Sequence, residues 1–438
     1  MYMKSVIRTA TVLSLAALVP PALAVTTSKT AADAASTYAA SPGTGVTADC
    51  DSLAACYTPE QLQVAYGVRQ LLDRGTDGQG QTVVLPELAE QQASPPTISD
   101  IRQDLRLFDS RFGLPAARLE VDARLAGQAP PWLANEEEVQ DAEIVHAIAP
   151  GAIIRVVLLP STALASTATA TAGLTAALRL GATEGDVISV SAGWGEHCLT
   201  PAEVTGMHQA LQAAAARHVT VVAASGDTGA VSRPCPGSSG AWDPVKEVNM
   251  PAADPLVLAV GGTSLTASHQ TGQYISETTA SDPAASRGSG GGFSRLFARP
   301  SYQDDVPGTE ATRGVPDVAA DAGPAGLAAI VSDADQGYTI FGANGTSASA
   351  PLWAALITLA NQRAGHDLGF VNPAIYRIGR SSAYHSAFHD ITTGNNTVIV
   401  SSTTITGYSA GPGWDPATGW GTPDASVLVP LLDRISSH

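Results

Sequence analysis

The sequence predicts an α/β domain built around a mostly parallel central sheet with helices on both of its faces. Three observations carry that expectation. Five apolar runs, Gln81 to Leu88, Ile153 to Leu159, Val187 to Ser191, Thr220 to Ala224 and Leu256 to Val260, are continuous rather than alternating, the pattern of strands buried on both faces. Helical stretches at Ile98 to Phe108, Glu136 to Ile148, Ala168 to Leu180 and Pro201 to Arg217 lie between them, and that β-α-β alternation suits crossover connections in a parallel sheet. Finally, 44% of the 438 residues are hydrophobic and only 14% are charged, ample material for a large core.

Taken in order, the chain opens with Lys4 and Arg8, an apolar run from Ala10 to Val19, and Ala22-Leu23-Ala24. Basic, apolar and small-residue regions in that order predict a signal peptide over residues 1–24 and a secreted, extracellular product. The apolar run is too short for an ordinary membrane span, so no membrane attachment is expected after cleavage. Residues 25–49 are rich in Ala, Ser and Thr and read as a flexible linker, leaving 50–438 as the folded domain. Four cysteines in an exported chain predict two disulfides, with local pairing of Cys50 with Cys56 and Cys198 with Cys235 preferred. The net charge of −17 and a pI near 4.8 come without Lys/Arg clusters, which excludes a nucleic-acid binder and suits an acid medium.

Three stretches carry candidate chemistry. In Asn344-Gly345-Thr346-Ser347-Ala348-Ser349-Ala350-Pro351, Ser347 sits where a turn enters an apolar helical run reaching Gln362. Unpaired N–H groups at a helix N-terminus favour developing negative charge there, and Pro351 is read as part of a first turn, where proline is tolerated. In Glu136-Glu137-Glu138-Val139-Gln140-Asp141-Ala142-Glu143, Glu137 and Asp141 are four apart and share a helix face; if buried they titrate as a coupled pair. Asp227, in Ser225-Gly226-Asp227-Thr228-Gly229, follows an apolar strand, where α/β sites assemble. Each stretch also has an ordinary explanation: a serine N-cap, a solvated acidic face and a turn aspartate.

In combination the motifs resemble the sedolisin family of serine-carboxyl peptidases, relatives of subtilisin that work in acid. The likeness runs from Tyr57-Thr58-Pro59 to the C-terminus and rests on Glu137-x-x-x-Asp141 with Ala149-Pro150-Gly151-Ala152, Gly226-Asp227-Thr228-Gly229, Gly290-Gly291-Gly292-Phe293-Ser294, Arg313-Gly314-Val315-Pro316-Asp317 and Gly345-Thr346-Ser347-Ala348. The resemblance implies a subtilisin-like three-layer fold and an endopeptidase acting on proteins or peptides as a monomer. It assigns Ser347 as nucleophile, Glu137 as general base, Asp141 as the acid that orients Glu137, and Asp227 as oxyanion donor. The choice of Glu137 over Glu138 follows the family spacing; Glu136, Glu138 and Glu143 are read as surface charges, and Glu87 as a candidate extension of the carboxylate network. Two C-terminal loops resemble the family's calcium site, implying one structural Ca²⁺ held by Asp390, Ile391, Gly411, Gly413 and Asp415.

Two departures stand out. Residues 25–49 are far shorter than the family's folded prosegment, so the resemblance leaves unaided folding, an inhibitor or prosegment supplied as a separate chain, or a different natural start. At Ser191-Ala192-Gly193-Trp194 the family usually places an aromatic residue at the position of Ala192, and Trp194 is a substitute two residues on. Two alternatives complete the reading: a noncatalytic peptide-binding relative, and a conventional Asp-His-Ser peptidase, for which His146 has the wrong context.

Overall fold

A computed structural model describes residues 55–91, 98–127, 129–239, 242–333 and 337–436. The signal-peptide and linker assignments, and Cys50, lie outside the described residues.

The central sheet contains β1 (Thr82–Leu88), β2 (Arg118–Asp122), β3 (Ile153–Leu159), β4 (Val187–Val190), β5 (Thr220–Ala224), β6 (Leu258–Ala267), β7 (Tyr274–Thr279) and β8 (Val318–Asp321). Its order is β7-β6-β5-β4-β1-β3-β2, with β8 also pairing β6. Every pairing is parallel except β6 with β7. The central strands are apolar at consecutive positions because each residue serves one of two cores. Val83 and Leu85 of β1 join one core, and Val84 joins the other; β5 divides the same way, with Val222 and Ala224 opposite Val221 and Ala223.

Helices cover both faces. One layer contains α2 (Glu136–Ile148) and the long α5 (Thr346–Ala364), which pack on each other; the opposite layer contains α3 (Thr167–Glu184) and α4 (Pro201–Ala215). The helix expected from Ile98 begins later. Ile98–Asp100 pairs antiparallel with Leu133–Asn135, and Asp100 caps α1 (Ile101–Phe112) by accepting from the Arg102 amide at 3.0 Å. The run expected to end at Val260 continues to Ala267, because β6 turns back antiparallel into β7, a half-exposed polar edge strand without an apolar signature. Edge strand β2, which alternates Arg-Leu-Glu-Val-Asp, escaped the search for apolar runs for the same reason.

Cys198 and Cys235 form the expected disulfide. Cys56 is also disulfide-bonded.

Candidate active site

Ser347, Glu137, Asp141, Glu87 and Asp227 converge at the carboxyl ends of the parallel strands, where the loops of an open α/β sheet create a crevice. Helix α2 brings two of them. Its N-cap Asn135 accepts from the amides of Glu137 (2.9 Å) and Glu138 (3.2 Å), while Glu138 Oε2 accepts from the Asn135 amide at 3.1 Å. This reciprocal cap occupies Glu138 and leaves the Glu137 carboxyl to meet Ser347. One turn later Asp141, fully buried, accepts from Ser191 Oγ.

Two of the acids read as surface charges are buried. Glu138 is 1% exposed and Glu143 is 0% exposed, because α2 is enclosed between the sheet, α5 and the neighbouring strand Ala328–Asp333. Glu138 serves the cap, and Glu143 Oε2 accepts from the Ile330 amide of that strand at 2.8 Å. Glu136 alone of the three is partly exposed.

Ser347 is the second residue of α5 and buried. Gly345 precedes the helix with φ 81°, a conformation that favours glycine. It has a spatial role too: a Cβ there would stand 3.0 Å from Asp227 Oδ2 and 3.3 Å from Ser347 Oγ. Glycine therefore keeps clear the space between the hydroxyl and the second acid. Pro351 falls in the second turn of α5 rather than the first and has no N–H for the Ser347 carbonyl four residues earlier. Ser191 Oγ reaches that carbonyl instead, at 3.4 Å. Gln140 of α2 clasps the entry loop, accepting from the Asn344 amide at 3.1 Å and donating to the Asn344 carbonyl at 3.4 Å, which ties the loop before Ser347 to the helix that carries Glu137.

The acids form a chain with opposing influences on each proton. Burial holds Glu137 well above the ordinary carboxyl range, and the Asp141 charge adds to this; hydrogen bonding by Ser347 and the positive charge of Arg233 pull it down. Glu137 Oε1 and Ser347 Oγ stop short of full hydrogen-bond geometry, which is common before substrate tightens a site. Burial also raises Asp141, reinforced by Glu87; Glu87 is raised by burial and by Glu138 and Glu137, and its carboxyl hydrogen-bonds Asp141. Adjacent buried carboxyls cannot all ionise, so they hold protons in common. Across Gly345, Asp227 Oδ1 accepts from the Thr346 amide (2.7 Å) and Thr346 Oγ1 (2.8 Å). Those bonds fix the carboxyl with Oδ2 toward the serine side. His146 is buried elsewhere, with Nε2 2.9 Å from both Asp109 Oδ1 and the Pro115 carbonyl, so it offers Ser347 no imidazole.

No protein-family model matches the chain. Kumamolisin of Bacillus sp. (strain MN-32) is 36% identical over 387 residues, 86% of this chain and 63% of its own length. Sedolisin of Pseudomonas sp. (strain 101) is 31% identical over 346 residues, 76% of this chain and 55% of its own length. The solved structure of Pseudomonas sedolisin, a serine-carboxyl proteinase complexed with two molecules of pseudo-iodotyrostatin, superposes with a TM-score of 0.70 at 26% identity, covering 87% of this chain and 98% of that one. The chain belongs to the sedolisin family. It spans less than two thirds of the length of kumamolisin and of sedolisin.

The loops that resemble the sedolisin calcium site lie against each other. Asp390 accepts from the Gly413 amide at 3.1 and 3.2 Å and from the Tyr384 hydroxyl at 2.9 Å. Asp415 accepts from the amides of Gly411 (3.2 Å), Ala417 (2.8 Å) and Thr418 (2.9 Å). Burial pushes the Asp415 carboxyl up to about 6, and the groups drawing it down are hydrogen-bond donors rather than cationic side chains. Asp390 and Asp415 stand in adjoining loops, tied to the Gly413 and Gly411 amides, and a buried carboxylate without a cationic neighbour suits a hard, oxygen-seeking cation.

Sequence reasoning missed Gln140, Thr346 and Arg233 as neighbours of the acids, and Ser191 as the partner of Asp141. Ser191 had a signal, since it ends an apolar strand. Gln140 and Thr346 lay within recognised motifs, but their partners are 204 and 119 positions away.

Proposed function

We propose that the protein is a secreted, acid-active serine-carboxyl endopeptidase that hydrolyses protein and peptide bonds through an acyl-enzyme on Ser347. The observation that carries this reading is the placement of Ser347 between two acids of different surroundings: Glu137, buried and backed by Asp141 and Glu87, and Asp227, held by Thr346 across the glycine gap.

The chemistry follows from those surroundings. Ionised Glu137 takes the Ser347 proton as Oγ bonds the scissile carbonyl carbon. A histidine base would be protonated and idle in acid, whereas a carboxylate accepts wherever it is ionised, and it ionises in a more acid range than imidazole unless burial lifts it fully. Asp227 donates to the resulting oxyanion from Oδ2 only while protonated, because Oδ1 is already committed to Thr346; acid supplies that proton. Glu137 then returns its proton to the leaving amine, the C–N bond breaks, and the acyl group remains on Ser347 Oγ. Water attacks the ester with Glu137 again as base, releasing the acid product and restoring the serine. Asp141 and Glu87 hold the neighbouring protons and orient Glu137.

A calcium ion fits the C-terminal loops, with carboxylates from Asp390 and Asp415 and carbonyls from Ile391, Gly411 and Gly413. Its contribution would be stability, as for any ligand bound by the folded state. Export rests on the basic, apolar and small-residue order of residues 1–24.

The test is a pH–activity profile on denatured protein for the wild type and Ser347→Ala. The expected maximum lies on the acid side of neutrality, and the variant loses activity throughout. A flat or alkaline profile would reject the carboxylate base, and no turnover at any pH would favour the noncatalytic binding reading.

A further inference from the structure

Outside the reacting centre, one histidine stands between a buried acid and a disulfide. His197 lies on the strip that follows β4, next to Cys198, and its side chain is 35% exposed. On one side its Nδ1 meets Glu247 Oε1, and its amide donates to Glu247 Oε2 at 3.1 Å. The Glu247 side chain is fully buried; Gly195 makes room for it, since a Cβ there would collide with Oε1. On the other side Nε2 lies 3.3 Å from Cys235 Sγ and 3.7 Å from Cys198 Sγ. Both cysteines are half-buried, and these contacts lie at the exposed surface.

The carboxylate fixes the role of each ring nitrogen. With Nδ1–H held by Glu247, Nε2 of the neutral ring is bare, and Nε2 of the imidazolium carries an N–H within reach of sulfur. A disulfide opens when a thiolate attacks one sulfur and the other departs, and it opens faster when the departing thiolate is stabilised. An imidazolium beside that sulfur does so by its charge and by giving up its proton. Two further charged groups face Glu247 and the ring: Arg295, whose Nη1 is 3.7 Å from Glu247 Oε2, and Glu196, which accepts from the Arg295 amide at 2.7 Å.

We propose that the Cys198–Cys235 link is an exchange site for small external thiols, with His197 as proton donor, and that opening it lowers activity. The external thiolate forms a bond to Cys198 Sγ. The S–S bond breaks and its electron pair goes to Cys235 Sγ, the sulfur nearer Nε2, which takes the Nε2 proton. The products are a mixed disulfide on Cys198, a free Cys235 thiol and a neutral His197 still held by Glu247; the external sulfur is oxidised as the Cys235 sulfur is reduced. The link ties the strip after β4, which carries Ser191, to the loop after β5, which carries Asp227, so opening it loosens the partner of Asp141 and the second acid together. That consequence rests on the peptidase reading above; the exchange chemistry does not.

The experiment treats the full protein with 2-mercaptoethanol in buffers from acid to mildly alkaline and samples it before a second thiol releases Cys198. Free thiols are trapped with N-ethylmaleimide, both cysteines are read by peptide mass spectrometry, and kcat on one peptide is followed in parallel. The adduct should appear on Cys198 and the maleimide on Cys235. In acid His197→Gln should slow the opening by about tenfold or more. The ratio of wild-type to variant rates should shrink as pH rises and the imidazolium gives up its proton, whereas a merely structural histidine would leave that ratio flat. The kcat should fall by about tenfold or more in step with the Cys198 adduct, and the fall should be delayed equally in the variant. Should His197→Gln fail to fold, as judged by thermal melting, the identity of the adducted sulfur and the course of kcat in the wild type carry the test. An adduct chiefly on Cys235, a flat ratio, or an unchanged kcat with Cys198 fully modified would each overturn the proposal. A protein that opens the link as described but cleaves no peptide, treated or untreated, would overturn the peptidase reading and leave the exchange site in place.

Discussion

Replacing Asp227 separates its two tasks. Oδ1 accepts from the Thr346 amide and hydroxyl at 2.7 and 2.8 Å, while Oδ2 and Ser347 Oγ both border the space beside Gly345. Asp227→Ala removes both functions. Loss of an oxyanion donor costs about 3 kcal/mol of barrier, roughly a hundredfold or more in kcat, and loss of an acceptor for Thr346 costs about 1 kcal/mol per bond in stability. Asp227→Asn is the sharper perturbation. Its Oδ1 keeps both Thr346 bonds, and its amide N–H replaces the acid proton without depending on pH. The Asn variant should keep kcat within about tenfold of wild type, well above the Ala variant. Stopped assays of kcat for all three proteins on one peptide would measure this. The oxyanion assignment fails if Asp227→Ala keeps kcat within threefold of wild type, or if Asp227→Asn loses as much activity as Asp227→Ala.

Three further outcomes follow from the same structure. Chelation with EDTA should lower the melting temperature, with recovery on adding Ca²⁺ but not Mg²⁺, which demands a tighter octahedral shell; an unchanged melting temperature in metal-free buffer rejects the site at Asp390 and Asp415. Glu277, buried against Tyr66 (2.6 Å), Thr263 (2.8 Å) and Thr422, has its carboxyl pushed by burial from 4.5 to about 7. Its stabilisation is therefore complete below pH 4.5 and is lost as pH rises through about 7, amounting to about 3 kcal/mol; denaturant titrations of Glu277→Gln should show a shallower loss over that window, and equal slopes would refute it. Reducing or replacing the Cys198–Cys235 link, which closes a 37-residue separation, should cost about 3 to 4 kcal/mol in the chain-entropy account, read as a lower urea midpoint; no change would show that the loop is ordered without it.

Local pattern determined much of the chain. Buried strands announced themselves because a residue facing either core must be apolar, and α2 and α5 because each is a helical run with few breakers leading into apolar residues. The order of short motifs named Glu137, Asp141, Asp227 and Ser347, and i to i+4 spacing placed the first two on one helix face. Tertiary structure alone decided which acids are buried. Glu138 and Glu143 read as surface charges because an acidic run carries no sign of the layers that close over it, yet one became a cap and the other a partner for a distant strand. It also decided that Gln140 grips the Asn344 loop, that Pro351 hands the Ser347 carbonyl to Ser191, and that His197 stands between Glu247 and the Cys198–Cys235 link. These depend on residues far apart in sequence, and helical or strand periodicity carries information only about near neighbours, whereas charge burial and cavity shape are properties of the packed whole.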